Sequence, residues 1–238
     1  MPAHEHVIAT AAHGRFLTDR PEGAGPFPVL MGFHGYAESA AVHLPMLARL
    51  DPGHGWLRVS VQGLHRFYAR GAADVVASWM TREDRAHAIA DNIAYATAVH
   101  AAVLRDHDGR APMVVVGFSQ GAAQAYRVAL AAGPACIGVV ALGGDVPPDV
   151  ADRAGELPPV LIGRGSRDAW YDADALADDV TTLRGAGVDW SVCEFEGGHE
   201  WGDVFVTAAG QWIAQRQTAR REGPARAPLR PVRREPRQ

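Results

Sequence analysis

The sequence predicts an α/β protein, a mostly parallel central sheet with helices on both faces. Two observations carry that expectation. Short apolar runs alternate with longer helical stretches along most of the chain, the pattern of strands joined by crossover helices. One such run, Pro112-Met113-Val114-Val115-Val116, passes through Gly117-Phe118-Ser119-Gln120-Gly121 directly into an Ala-rich helical stretch.

The elements follow in order. Residues 6–10 and 15–18 read as short leading strands, and 28–33 as a buried strand ending in His34-Gly35. Residues 40–50 suit a helix and 56–61 the next strand. Residues 62–80 have no clean period and are expected to form a long functional loop. From 82 to 106 an amphipathic helix places Ala86, Ile89, Ile93, Ala96, Val99 and Val103 on one stripe, with Thr81 as its N-cap. After the run ending at Val116 come a helix over 119–132 and a strand over 137–142. Strands at 160–163 and 189–195 then flank a helix at 173–185, and a last helix spans 201–217. In such sheets reacting groups collect beyond the carboxyl ends of the strands.

At 238 residues the chain is expected to fold as one domain over 1–218. Its 47% hydrophobic and 21% charged residues suit a soluble globular protein. No window reaches the roughly 18 apolar residues of a membrane helix. The first residues lack a basic stretch followed by an apolar one, so the cytoplasm is the expected compartment. Residues 219–238 hold seven arginines, two glutamates and four prolines, a +5 tail on a body of −9 within the net −4. That tail is expected to be disordered. A basic tail can touch nucleic acid or anionic lipid, but a solvated extension is the plainer reading, and no nucleic-acid partner is expected. Cys136 and Cys193 fall in predicted strands and read as small core residues. His4 and His6 have no third ligand nearby in sequence, so no metal site is expected there.

The chemistry centres on Ser119. A serine hydroxyl is a useful nucleophile when it is exposed, close to a base and faced by donors for the oxyanion it creates. A sharp strand-to-helix turn can meet all three needs, and Gly117 and Gly121 leave room where the chain doubles back. The plainer alternative is a serine that caps the helix. Among the 11 histidines, His34, His65 and His199 are the candidates for the base. His199, in Glu196-Gly197-Gly198-His199-Glu200, stands out because it follows the serine on the last loop before the final helix. His34 reads more simply as a turn residue packed under a loop. For the orienting acid, Asp168 lies just past a strand end, Asp145 is a rival at the end of the preceding strand, and Asp172 reads as an N-cap. Oxyanion donors are expected from the backbone N–H of Gln120, at a helix N-terminus, and of Tyr36, in the turn after the 28–33 strand.

The motifs His34-Gly35-Tyr36-Ala37-Glu38-Ser39, Gly117-Phe118-Ser119-Gln120-Gly121 and Gly197-Gly198-His199-Glu200 resemble those of the phospholipase/carboxylesterase family of α/β-hydrolases. That family includes bacterial carboxylesterases and acyl-protein thioesterases and is related to dienelactone hydrolases. The resemblance spans roughly 29–217. It implies an α/β-hydrolase fold without a large cap domain and a reaction that needs no cofactor. In that reaction Ser119 is the nucleophile, His199 the base and Asp168 the acid, with Tyr36 and Gln120 as oxyanion donors. The chain departs from the family at Tyr36, where a glycine or small apolar residue is common. It departs again at Ala169-Trp170-Tyr171, which sets two aromatics after the acid. A serine nucleophile weighs against the dienelactone hydrolases, which characteristically use cysteine.

The expected substrate is a small to medium soluble carboxylic ester; association as a homodimer is left open. Phe67, Tyr68, Trp79, Trp170 and Tyr171 are expected to wall an apolar pocket, with core packing as the alternative for each. Arg66 and Arg70 would instead favour an anionic substrate. Thioester or short-peptide hydrolysis would use the same groups. A non-catalytic binding protein on the same fold is disfavoured by the presence of all three side chains.

Overall fold

The computed structural model describes residues 3–4, 6–71 and 73–222, with side chains to residue 217. The chain runs β1 (Arg15–Asp19), β2 (Phe27–Phe33), α1 (Ala40–Leu50), β3 (Leu57–Gln62), β4 (His65–Tyr68), β5 (Val75–Ser78) and α2 (Arg85–Asp106). It continues through β6 (Gly109–Phe118), α3 (Gln120–Ala132), β7 (Cys136–Leu142) and the short α4 (Pro148–Ala151). Last come β8 (Val160–Gly165), α5 (Ala173–Gly185), β9 (Trp190–Phe195) and α6 (Asp203–Glu222).

Seven strands form one sheet in the order β1-β3-β2-β6-β7-β8-β9, and β4 pairs with β5 in a separate hairpin. Only the edge pair β1–β3 is antiparallel within the large sheet. The central strands are buried on both faces, and their side chains sort by the two-residue period. Val29, Met31 and Phe33 join one core with Ala96, Val99 and Val103 of α2 and Ala122 and Ala125 of α3. Leu30, Val114 and Val116 join the other with Leu47 of α1 and Phe205, Trp212 and Ile213 of α6. Gly32 has to be small, because a Cβ there would come within 2.7 Å of the His43 ring on α1.

The chain leaves β2 toward β3 on one side and later returns to β6 on the other. The sheet therefore changes winding direction between β2 and β6, the position at which such sheets open a crevice. Phe33, the last residue of β2, pairs with Gly117, two residues before Ser119. The turn carrying Tyr36 and the turn carrying Ser119 thus start side by side.

Several expectations need correction. Residues 6–10 form no strand. The 62–80 segment is not an unstructured loop: it contains the β4–β5 hairpin, whose four-residue strands are too short to show a period. The long helix starts at Arg85 with Asp84 at its N-cap, and the Thr81 hydroxyl accepts the Glu83 N–H instead. Helix α6 continues to Glu222, so the first residues assigned to a disordered tail are helical. The rest of that tail, 223–238, lies outside the described residues. No helix is long and apolar enough to cross a membrane, and no group of three or more His, Cys, Asp or Glu side chains could hold a metal ion, among the described residues.

Candidate active site

Ser119 sits between β6 and α3 with φ 54° and ψ −121°, a backbone region that side-chain-bearing residues seldom adopt. Such a conformation costs on the order of 1–3 kcal/mol and persists only where the surroundings over-determine it. Here they do. The Ser119 N–H donates to Leu142 O at the end of β7 (2.8 Å), and the Ala122 N–H donates to Ser119 O (2.9 Å). A Cβ on Gly121 would lie 2.1 Å from Phe33 O, and one on Gly117 would lie 2.3 Å from Gly121 O. Only glycines let α3 start this close to β2. Ser119 occupies the N-cap position, yet its side chain makes no capping hydrogen bond, which leaves the hydroxyl free for other work.

His199 follows β9 on the turn before α6, and its Nδ1 lies 2.7 Å from Asp168 Oδ2. The other carboxylate oxygen accepts the N–H groups of Trp170 (2.8 Å) and Tyr171 (3.0 Å). Burial by itself would raise the Asp168 pKa. The Tyr171 N–H, His199 and the Trp170 N–H outweigh it and hold the carboxyl below its ordinary value. A carboxylate at Nδ1 fixes the imidazole proton there and leaves Nε2 as the basic nitrogen. The ring also stacks on Phe118, the neighbour of Ser119, at 5.0 Å between centroids. Gly143 presses against this pair: a Cβ there would come within 3.0 Å of His199 and 3.3 Å of Asp168.

Ser119 and His199 line one cavity of about 450 Å³, together with Met80, Gln120, Gly144 and Tyr171. Arg85, Arg127, Asp145 and Trp170 also reach it. The Tyr36 and Gln120 N–H groups carry no hydrogen bond to any described residue. The neighbouring Gly35, Ala37 and Glu38 N–H groups are all bonded, to Glu38 Oε2, Ala77 O and Gly35 O respectively. Free amides at these two positions are what an oxyanion pocket requires. The Gln120 side chain ties the two turns together: its Oε1 accepts the Trp79 N–H (2.9 Å) and the Ser78 hydroxyl (3.1 Å), and its Nε2 donates to Met80 O (2.8 Å). Strand β5 in turn holds the Tyr36 turn through Ala77, whose N–H donates to Glu38 O and whose O accepts the Ala37 N–H. Sequence reasoning used only the backbone of Gln120 and missed this brace.

The other candidates separate. His34 is fully buried; its Nε2 accepts the Gly63 N–H (2.9 Å), so Nδ1 carries the proton and donates to Gly35 O. Burial lowers its pKa, and it stays neutral as a structural residue. His65 lies on the exposed face of the hairpin. Asp145 reaches the cavity but makes no hydrogen bond to His199, and Asp172 caps α5 by accepting the Ala175 N–H.

The aromatic wall is only partly as expected. Trp170, 86% exposed, and the buried Tyr171 line the cavity. Trp79 does not: it is fully buried, with its indole N–H donating to His34 O at 2.8 Å. Phe67 packs on Tyr36 (5.6 Å between centroids), and Tyr68 projects outward, 73% exposed; neither lines the cavity. Arg66 and Arg70 are absent from its wall as well. A larger hollow of about 610 Å³ between the C-terminal end of α1 and α6 includes none of the candidate catalytic residues.

No protein-family model and no curated protein sequence matches the chain. Solved structures do match its fold. A Bacillus cereus carboxylesterase superposes with a TM-score of 0.66 at 21% identity, over 86% of this chain and 95% of that one. A Mesorhizobium loti carboxylesterase gives 0.62 at 21% identity, over 84% and 98%. Arabidopsis thaliana SOBER1 gives 0.62 at 19% identity, over 80% and 99%. At these identities the likeness establishes the fold alone: the described residues adopt the α/β-hydrolase fold, with no large cap among them.

Proposed function

We propose that this chain is a serine hydrolase that cleaves small to medium carboxylic esters through an acyl-enzyme. The observation that carries the reading is the 2.7 Å contact of His199 Nδ1 with Asp168 in a ring whose cavity also contains a strained, uncapped Ser119. His199 Nε2 takes the Ser119 proton as Oγ attacks the ester carbonyl, and Asp168 stabilises the imidazolium that forms. The carbonyl oxygen becomes an oxyanion held by the Tyr36 and Gln120 N–H groups, each such donor contributing about 3 kcal/mol in comparable sites. Collapse expels the alkoxide, which takes the proton from His199. Water then repeats the sequence on the acyl-enzyme, releasing the carboxylic acid and restoring Ser119.

The cavity volume of about 450 Å³ supports substrates of modest size. Met80, Ala123, Trp170 and Tyr171 give it apolar surface for an acyl or aryl group, while Arg85 and Asp145 leave its charge mixed. Fluorophosphonate labelling tests the reading. The wild-type chain should be labelled at Ser119 and hydrolyse p-nitrophenyl esters, and Ser119→Ala should abolish labelling and lower kcat by roughly 10⁴-fold or more. Labelling that survives in Ser119→Ala would point to another nucleophile. Rates on p-nitrophenyl acetate through octanoate, beside an acyl-CoA and a peptide anilide, would rank ester against thioester and amide.

A further inference from the structure

We propose that the amino-terminal end of α1 is a second binding site, one that takes a phosphate group, free or carried as a monoester. A cavity of about 130 Å³ lies there, bounded by Arg15 of β1, Ser39 and Ala41 at the start of α1, Gln62 of β3 and Arg66 of β4. It shares no lining residue with the cavity of Ser119 and His199 and does not depend on the hydrolase reading.

Charge is the first argument. The two arginines are the only ionisable side chains on its wall, and neither is in an ion pair among the described residues. Nine other described arginines are paired with carboxylates. The Arg66 guanidinium donates to His13 O at 3.2 Å, a neutral partner that leaves its charge uncompensated. Two unpaired guanidinium groups around one hollow attract an anion, and their planar forks match phosphate oxygens.

The helix end is the second. The Ala40 N–H is spent on Gln62 Oε1 (2.8 Å) and the Val42 N–H on Ser39 (3.3 Å to Oγ), whereas the Ala41 N–H has no acceptor among the described residues. A free amide at the positive end of a helix dipole favours negative charge.

The third is independent of both. Gln62 is 7% exposed, and its Nε2 has no hydrogen-bond partner. Oε1 accepts from Ala40, which fixes the carboxamide, and the unpaired Nε2 is buried in a side chain that lines this cavity. A buried donor with nothing to bind is costly, and a phosphate oxygen would satisfy it. The volume admits one tetrahedral oxyanion with its water and excludes a nucleotide.

Calorimetric titration of the full chain with inorganic phosphate at low ionic strength tests the site, beside sodium chloride at matched ionic strength. Saturable binding is expected with phosphate and not with chloride. It should weaken by roughly tenfold or more in Arg15→Ala/Arg66→Ala, while turnover of p-nitrophenyl acetate in phosphate-free buffer is retained. A glycerol 3-phosphate arm separates the sources: tighter binding than inorganic phosphate assigns a monoester, weaker binding assigns the free ion, and both support the site. Absence of saturable binding, an equal response to chloride, or unchanged affinity in the double variant would overturn it. Competition between phosphate and the ester substrate would do so too, by placing the anion in the other cavity.

Discussion

At φ 54° Ser119 holds a conformation that a glycine would adopt more readily, and the neighbouring glycines at 117 and 121 exist to allow it. The acid assignment is the sharpest test at this scale. Asp168→Asn should reduce kcat by about 10⁴-fold, because a carboxamide at Nδ1 favours the wrong imidazole tautomer. Asp145→Asn, which removes a charge from the cavity mouth without touching His199, should change kcat little. A reversed ranking would transfer the role to Asp145. Gln120→Ala separates side chain from backbone. It deletes three hydrogen bonds and strands the Trp79 N–H, so stability should fall by about 1–3 kcal/mol in urea titration. It should also lower kcat more than it changes KM, since the Tyr36 and Gln120 amides, the proposed oxyanion donors, lose their shared brace. An unchanged kcat would mark the brace as purely structural.

Among the elements, α5 reaches back into the site through Asp179. Its Oδ2 accepts the Tyr171 hydroxyl (2.7 Å) and its Oδ1 the Val146 N–H (3.0 Å), so one carboxylate joins the Asp168 turn to the loop after β7. Burial raises its pKa to about 6, against the opposing hydrogen bonds from Tyr171 and Val146, with the Asp145 and Asp178 charges adding to the rise. The native state therefore binds this proton more tightly than the unfolded chain. The resulting stability is complete below about pH 4 and is lost as pH rises through about 6, a change on the order of 3 kcal/mol. Asparagine imitates the protonated acid, accepting from Val146 and donating to the Tyr171 oxygen. Urea titrations from pH 4 to 7 should show the wild type losing stability relative to Asp179→Asn across that window. Parallel curves would show that Asp179 titrates at its ordinary value. The same scale shows why the site was only partly legible in the sequence. The β6–α3 turn and the His199 turn are written in contiguous motifs. Trp79 was misplaced because its indole partner, His34 O, is 45 residues away in the chain. Phe67 and Tyr68 were misplaced because β4 is too short to reveal which face each takes.

For the whole molecule, the sheet reversal between β2 and β6 sets where a crevice can form, and every candidate catalytic residue follows the carboxyl end of a strand. Residues 223–238 lie outside the described residues, and the described lining of the cavity runs from Met80 to His199. Removing them should leave kcat for a small neutral ester and the thermal midpoint nearly unchanged; a large fall in either would assign the tail a structural role.

From the sequence alone came the layer architecture and the two motif-bearing turns, because apolar periodicity and a glycine-flanked serine are local properties of the chain. Only the folded structure decided which carboxylate meets His199, which aromatic rings face the cavity and that two unpaired arginines share one hollow. Those outcomes depend on distances between segments far apart in sequence, and packing fixes such distances only once the sheet has brought the strand ends together.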